Sequence, residues 1–183
     1  DEDEDYAQFA ADILSYYTPK IAEQTGDLYF SKTGHWIESR DLYPKVGMIY
    51  DFIQPFLKNG ANTVYDVHSG TRKSFDLDTA ELAFRRLADE VFDHGGTGSN
   101  HSAYEASGAL FNILCIENDS IRDVYFDTFM NGTPNQDGFH TILNTIKTND
   151  YLWPESFTYG KVTHEVVLHL LNVVDRYRDS LNL

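Results

Sequence analysis

The sequence predicts an all-α fold: about seven helices in an α-solenoid-like or irregular helical bundle, with at most one or two small β-hairpins. Three observations predict it. Apolar residues recur at three- and four-residue intervals along most of the 183 residues. Helix-start residues and Gly-containing stops cut that pattern into segments of helical length. Leu, Ile, Val and Phe supply 48 positions, well clear of the roughly 20% below which a highly charged chain stays disordered. The organisation expected is an acidic tail at residues 1–5 and a single helical domain at 6–183, since ~150 residues is the common size of one domain.

After the run Asp1-Glu2-Asp3-Glu4-Asp5, the residues Tyr6, Phe9, Ala10, Ile13, Leu14 and Tyr17 define the apolar side of a first helix, which Pro19 is expected to kink or break. Residues 26–40 hold Gly26, Gly34 and the strings Leu28-Tyr29-Phe30 and Trp36-Ile37, and read as a loop or a small hairpin. Val46, Ile49, Tyr50, Ile53, Phe56 and Leu57 mark a second helix, opened near Pro44 and closed by Asn59-Gly60. Thr63 to Phe75 alternates about His68-Ser69-Gly70, as one hairpin would.

Asp78 with Glu81 predicts the start of a third helix, whose apolar side is Leu82, Phe84, Leu87, Val91 and Phe92 and whose stop is Gly95-Gly96. Ser102 with Glu105 has the form of a capping box, so a fourth helix is expected from there to about Glu117. The next begins at Asp119 or Ser120 and ends at Asn131-Gly132. Thr133, Pro134 and Gln136 predict the start of a helix carrying Phe139, Ile142, Leu143 and Ile146. The last helix covers about 160–181. At ~100° per residue its inward side is Val166, Val167, Leu170, Val174 and Tyr177, with Asn172 turned outward.

Composition excludes several classes. Fourteen Lys and Arg against 29 Asp and Glu leave a net charge of −15, so direct binding to a nucleic-acid backbone is not expected, and a basic protein or peptide is the favoured partner. The longest apolar runs, Ala109 to Ile116 and Val166 to Leu171, fall far short of the ~18 to 20 residues of a membrane span. One cysteine, Cys115, sits in an apolar run and reads as a small buried hydrophobe. A cytoplasmic location is expected, with a processed secreted product as the alternative.

Three helices repeat one phrase: Leu110-Phe111-Asn112-Ile113-Leu114, Ile142-Leu143-Asn144-Thr145-Ile146 and Leu170-Leu171-Asn172-Val173-Val174. Asn is poor in a helix interior because its side chain competes for backbone groups. The first phrase, with its preceding small residues from Tyr104 to Ala109 and the following Glu117-Asn118 and Ile121, resembles the third helix and turn of an armadillo repeat. The likeness centres on residues 102–122 and implies a solenoid in which Asn112, Asn144 and Asn172 hydrogen-bond the backbone of an extended peptide. The spacings between these asparagines are shorter than the ~40 to 47 residues of such units.

Chemistry-bearing motifs are few. His164 and His169 are five apart, which puts the imidazoles ~140° apart on a helix and unable to share an ion. His94 and His101 lie within the glycine-rich stretch 93–101, whose amides could face an anion at a helix start, and Glu105 follows it; the three form the candidate site of a small enzyme at the 93–105 loop. Asp119, Asp123 and Asp127 line one helix side at intervals of four. No metal or cofactor is expected. The function expected is that of a non-enzymatic acidic interaction module (an adaptor, inhibitor or immunity-type protein) binding through Asn112, Asn144, Asn172, Asp119, Asp123 and Asp127. The alternatives are the small enzyme and a DNA-mimic inhibitor.

Overall fold

The structure is a computed structural model, and it describes residues 2–26, 28 and 40–180. Among these residues the chain forms seven helices and one two-stranded hairpin, the all-α fold that the periodicity predicts. In order they are α1 (Glu2–Glu23), α2 (Tyr43–Lys58), β1 (Val64–Asp66), β2 (Thr71–Lys73), α3 (Leu77–His94), α4 (Asn100–Ile113), α5 (Asp119–Asn131), α6 (Phe139–Thr148) and α7 (Phe157–Ser180). The loop or hairpin expected at 26–40 lies mostly outside the described residues.

Helix α4 is the hub, packed against α2, α3, α5, α6 and α7. Its sequence explains how so many neighbours fit. Ala103, Ala106, Gly108 and Ala109 are all buried and small, so adjacent backbones approach closely, and Leu110 and Ile113 fill the space beyond them. Two apolar clusters result. One joins α4 to α3, α5, α6 and α7 through residues such as Leu87, Phe129, Phe139 and Leu170. The other lies under α1, α2 and the hairpin, around Tyr50, Phe84 and Ile116.

The first helix differs from its pattern in two ways. It starts at Glu2, so the acidic run enters its first turn, where carboxylates complement the helix dipole. It also continues through Pro19 to Glu23; the Thr18 hydroxyl donates to Leu14 O at 2.8 Å just before the missing amide. Its buried face is Ala11, Leu14, Thr18 and Ile21, while Tyr6, Phe9, Ile13 and Tyr17 stay exposed. The smaller face gives the closer approach to α2 and α3.

The hairpin pairs Val64 with Lys73 and Asp66 with Thr71. Gly70 at φ +68 turns it, and Asp12 on α1 accepts from Tyr65 N at 2.8 Å, which fastens it to the bundle.

Three helix starts are corrected. The cap of α3 is Asp76, which accepts from Thr79 N at 3.0 Å and from its hydroxyl at 2.8 Å, so Asp78 lies inside the first turn. Helix α4 starts at Asn100, before Ser102 and Glu105; both are buried, and the Ser102 hydroxyl donates to Ser99 O at 2.7 Å. Thr133 does accept from Gln136 N, at 3.1 Å, but the result is a turn, and Gly138 caps α6. Helix α5 starts as predicted, with Asn118 accepting from Ile121 N at 3.2 Å.

Candidate functional site

The first Asn phrase differs from the other two. Asn112 is 0% exposed. Its amide donates to Gly108 O at 2.7 Å and, across to α2, to Tyr43 O at 2.8 Å. A side chain so used cannot be offered to a peptide, so its expected place on a binding surface is corrected: it is a tie between two helices. Asn144 on α6 and Asn172 on α7 are exposed. Asp119, Asp123 and Asp127 are exposed on α5; Asp119 pairs with Arg122, and Asp127 accepts from Asn131 at 2.9 Å.

The glycine-rich stretch is also put to internal use. Gly96 N donates to Gln136 Oε1 at 3.0 Å, Gly98 N to Asp137 Oδ2 at 2.7 Å, and Asn100 N to Glu155 Oε1 at 3.2 Å. Three of the amides in this stretch are thus taken by this chain's own oxygens and are not available to an external anion. Gln136 is buried and also donates to Ser102 O at 2.8 Å, so it stitches the α3–α4 loop to the turn before α6. His94 is exposed, His101 half-buried and Glu105 buried. Glu105 lies beneath the loop, where a Cβ added at Gly96 would come 2.9 Å from its Oε2. No group of three metal-ligating side chains occurs among the described residues.

The two histidines of α7 occupy separate surroundings. His164 Nδ1 is 2.6 Å from Gly160 O, and its Nε2 is 3.1 Å from Tyr151 O. His169 instead faces Phe111, ring centroids 5.4 Å apart, and lines a cleft.

That cleft, about 360 Å³, is the candidate site. It opens between the start of α2, the middle of α4 and α7. Arg40 and Asp41 come from the segment just before α2 and Lys45 from its first turn, Ser107 and Phe111 from α4, and Glu165 and His169 from α7. Pro44 at the head of α2 supplies a preset φ and leaves no amide unpaired there. Arg40 pairs with Asp41 at 3.2 Å and lies 5.6 Å from the Tyr104 ring. Burial pushes the Tyr104 hydroxyl up from its ordinary pKa, and Glu165 and Glu155 add to it; the hydrogen bond with Thr163 and the Arg40 charge oppose them. Two cationic side chains, an imidazole and two carboxylates around one apolar floor suit a ligand that carries both hydroxyls and acidic groups.

Sequence reasoning missed Arg40, Lys45 and Tyr104. Arg40 ends the stretch that reads as a loop or hairpin and Lys45 follows Pro44 at a helix entry, and only the tertiary approach of α7 makes them neighbours of His169.

Comparison with known proteins gives two matches. Residues 149–183, which span α7 and the segment before it, match a family described as "Endo-acting ulvan lyase 2nd domain". Over 96% of the chain, the sequence is 31% identical to an endo-acting ulvan lyase of Formosa agariphila. The chain spans about a fifth of the length of that curated relative, 22%. No solved structure matches. These two matches overturn the expectation of a non-enzymatic adaptor, inhibitor or immunity-type protein. An acidic composition alone cannot separate a binding module from the helical part of an enzyme. No helix among the described residues is long and apolar enough to cross a membrane.

Proposed function

We propose that this chain is the helical part of a lyase that acts on ulvan, and that the cleft at Arg40, Lys45 and His169 holds acidic groups of that polysaccharide. The observation that carries the reading is the likeness to the Formosa agariphila ulvan lyase, which runs across nearly the whole chain and so includes every element that builds the cleft. A lyase breaks the glycosidic C–O bond by elimination: a proton leaves the carbon beside a uronate carboxyl, the electron pair forms a C=C bond, and the departing oxygen takes up a proton. Cations at that carboxyl stabilise the charge that develops on it. Arg40, whose guanidinium also pairs with Asp41, and Lys45 both bring positive charge to that carboxyl. The net charge of −15 repels an acidic polymer from most of the surface, so attraction is left to individual cations such as Arg40 and Lys45.

The test is ulvan depolymerisation by the chain within its natural polypeptide. It is followed as a rise in ultraviolet absorbance from new unsaturated ends and a rapid fall in viscosity, the mark of cuts inside the polymer. Intact ulvan after prolonged incubation would sink the reading.

A further inference from the structure

Helix α7 belongs to two units at once. It makes up most of the stretch 149–183 that matches the second-domain family, yet Val167, Leu170 and Val174 on it are buried in the core that it shares with α4 and the helices around it. A domain takes at least about 50 residues. The matched stretch is shorter than that, so a second domain that includes it needs further chain.

A second apolar row runs along α7 about a quarter turn from its buried face. Phe157 is 90% exposed, Leu168 63% and Leu171 36%. At ~100° and ~1.5 Å per residue these three, with His164, fall in a stripe about 60° wide and about 21 Å long. The turn before the helix extends the row: His164 Nε2 lies 3.1 Å from Tyr151 O, which brings the exposed Tyr151 and Leu152 beside it. Asp150 at φ 53 and Tyr151 at φ 62 are both left-handed without being glycine, a conformation that L side chains resist. Leu152 N donates to Asn149 O, and Asn149 Nδ2 to Leu152 O, both at 2.9 Å, so the turn is held in that form. Backbone strain is thus stored where it keeps two large apolar side chains outside the core. The five side chains expose on the order of 500 Å² of apolar surface. That is large for a free monomer and approaches the about 600–1,500 Å² of an interface between domains.

We propose that Tyr151, Leu152, Phe157, Leu168 and Leu171 form the seam on which the remainder of the second domain of the same polypeptide packs, so that α7 is a helix shared by both domains. The inference rests on the lyase reading for the existence of that domain. The place of the match selects this occupant: the matched stretch begins at residue 149, two residues before the patch does, and contains all of it. A helix that counts with the second domain while its inner face is buried in the first meets the rest of the second through the face left open. A second copy of the chain would cover the row but would leave that coincidence unexplained. Glu165 and His169 lie ~60° and ~100° round the helix from Leu168, so a domain seated on the seam stands at the rim of the cleft and adds a wall to it.

Photocrosslinking in the natural polypeptide tests the seam. Benzoylphenylalanine replaces Phe157 or Leu168, and Val124, 65% exposed on α5 and outside the matched stretch, serves as the reference position. Irradiation should join positions 157 and 168, within one molecule, to peptides outside residues 1–183, at a yield at least tenfold above that of position 124. Phe157→Asp with Leu168→Asp should lower the melting temperature of the natural polypeptide by several degrees, because a covered apolar row would then hold two charges. Links to a second copy, equal yields at all three positions, or unchanged melting in the double variant each overturn the seam. Where the same polypeptide still degrades ulvan, those results spare the lyase reading. Capture as expected in a polypeptide that leaves ulvan intact keeps the seam and removes the lyase reading instead.

Discussion

Gly47 on α2 faces the carbonyl of Phe111 on α4 so closely that a Cβ at position 47 would overlap Phe111 O and come 2.6 Å from its carbonyl carbon. One turn earlier, Tyr43 O receives the Asn112 amide at 2.8 Å; Gly47 O itself accepts from the Cys115 thiol at 3.3 Å. Three adjacent contacts thus hold α2 against the hub helix, and the floor of the cleft, Phe111, is fixed by the same crossing. The cleft's geometry depends on this glycine.

Gly47→Ala therefore sets two effects of opposite sign against each other. Helix propensity favours alanine by about 1 kcal/mol. The overlap falls on backbone, which cannot swing away, and overpacking costs about 1–3 kcal/mol or more. The clash should prevail, with a net loss of stability measurable by urea denaturation. A variant as stable as wild type would show that α2 can slide without cost.

Asn112→Asp should be worse than Asn112→Leu. The leucine loses two hydrogen bonds but also removes an Oδ1 that is buried without a hydrogen-bond partner among the described residues, so a cost of about 1–2 kcal/mol is expected. The aspartate would place a carboxylate against Tyr43 O and Gly108 O, both acceptors, with a cost of about 3 kcal/mol or more. Equal costs in denaturant titrations would mean that the amide donors contribute nothing.

What the sequence discloses here divides along a physical line. Local signals predict both ends of α5: Asn131-Gly132 stops it because Gly132 adopts φ +84, and Asn118 caps it through its own side chain, while the starts of α3, α4 and α6 are misplaced by the same kind of signal. The outward placement of Asn172 follows from helical angle alone. Faces with two apolar sides are illegible. On α1 the large aromatics outweigh Ala11 and Leu14 in any periodic count, yet the small side is buried because α2 and α3 approach there. Asn112 is hidden for a related reason: nothing local indicates that Tyr43 O, 69 residues away, will present an acceptor to it. Arg40, Lys45 and His169 share a cleft only through long-range packing, so no spacing rule could gather them.

Asp66 should give the hairpin an acid limit. Its carboxylate accepts from His68 N at 2.9 Å and pairs with Lys73 at 3.0 Å, and these bonds, the backbone amide first, hold its pKa at about 2 against an ordinary 3.8. A carboxylate depressed in the folded state contributes stability above the ordinary value and loses it as pH falls through the depressed one. The protection of the Gly70 amide, whose N–H is held by Asp66 O at 2.8 Å, relative to an unstructured peptide at the same pH should fall between about pH 4 and 2. In Asp66→Asn that fall should vanish; its persistence would place the titrating group elsewhere.

Asp89 should behave in the opposite sense. Burial pushes its carboxyl up, with Asp93 adding to the shift, while the Tyr125 hydroxyl and the guanidinium groups of Arg86 and Arg85 pull it down. A raised carboxyl favours the protonated fold, so its contribution is present below the ordinary value of 3.8 and is lost as pH rises through the raised one. Asp89→Asn mimics the protonated group and keeps an acceptor for Tyr125. It should raise the melting temperature at neutral pH, and the gain should disappear near pH 4. A gain constant across pH would have another origin.

Charge at the cleft gives the last prediction, and its sign is specific. Arg40 and Asp41 pair at 3.2 Å, with side chains 28% and 50% exposed, an arrangement that contributes at most about 1 kcal/mol to the fold. The pair matters more to a ligand, because Asp41 both repels an acidic sugar and occupies the Arg40 fork. Asp41→Asn should therefore tighten ulvan binding, and Lys45→Ala should weaken it, each with little change in stability. Both effects should shrink as the Debye length falls below ~10 Å on adding salt. If Asp41→Asn weakens binding as Lys45→Ala does, Asp41 is holding Arg40 in its working position, and removing the charge has misplaced the guanidinium.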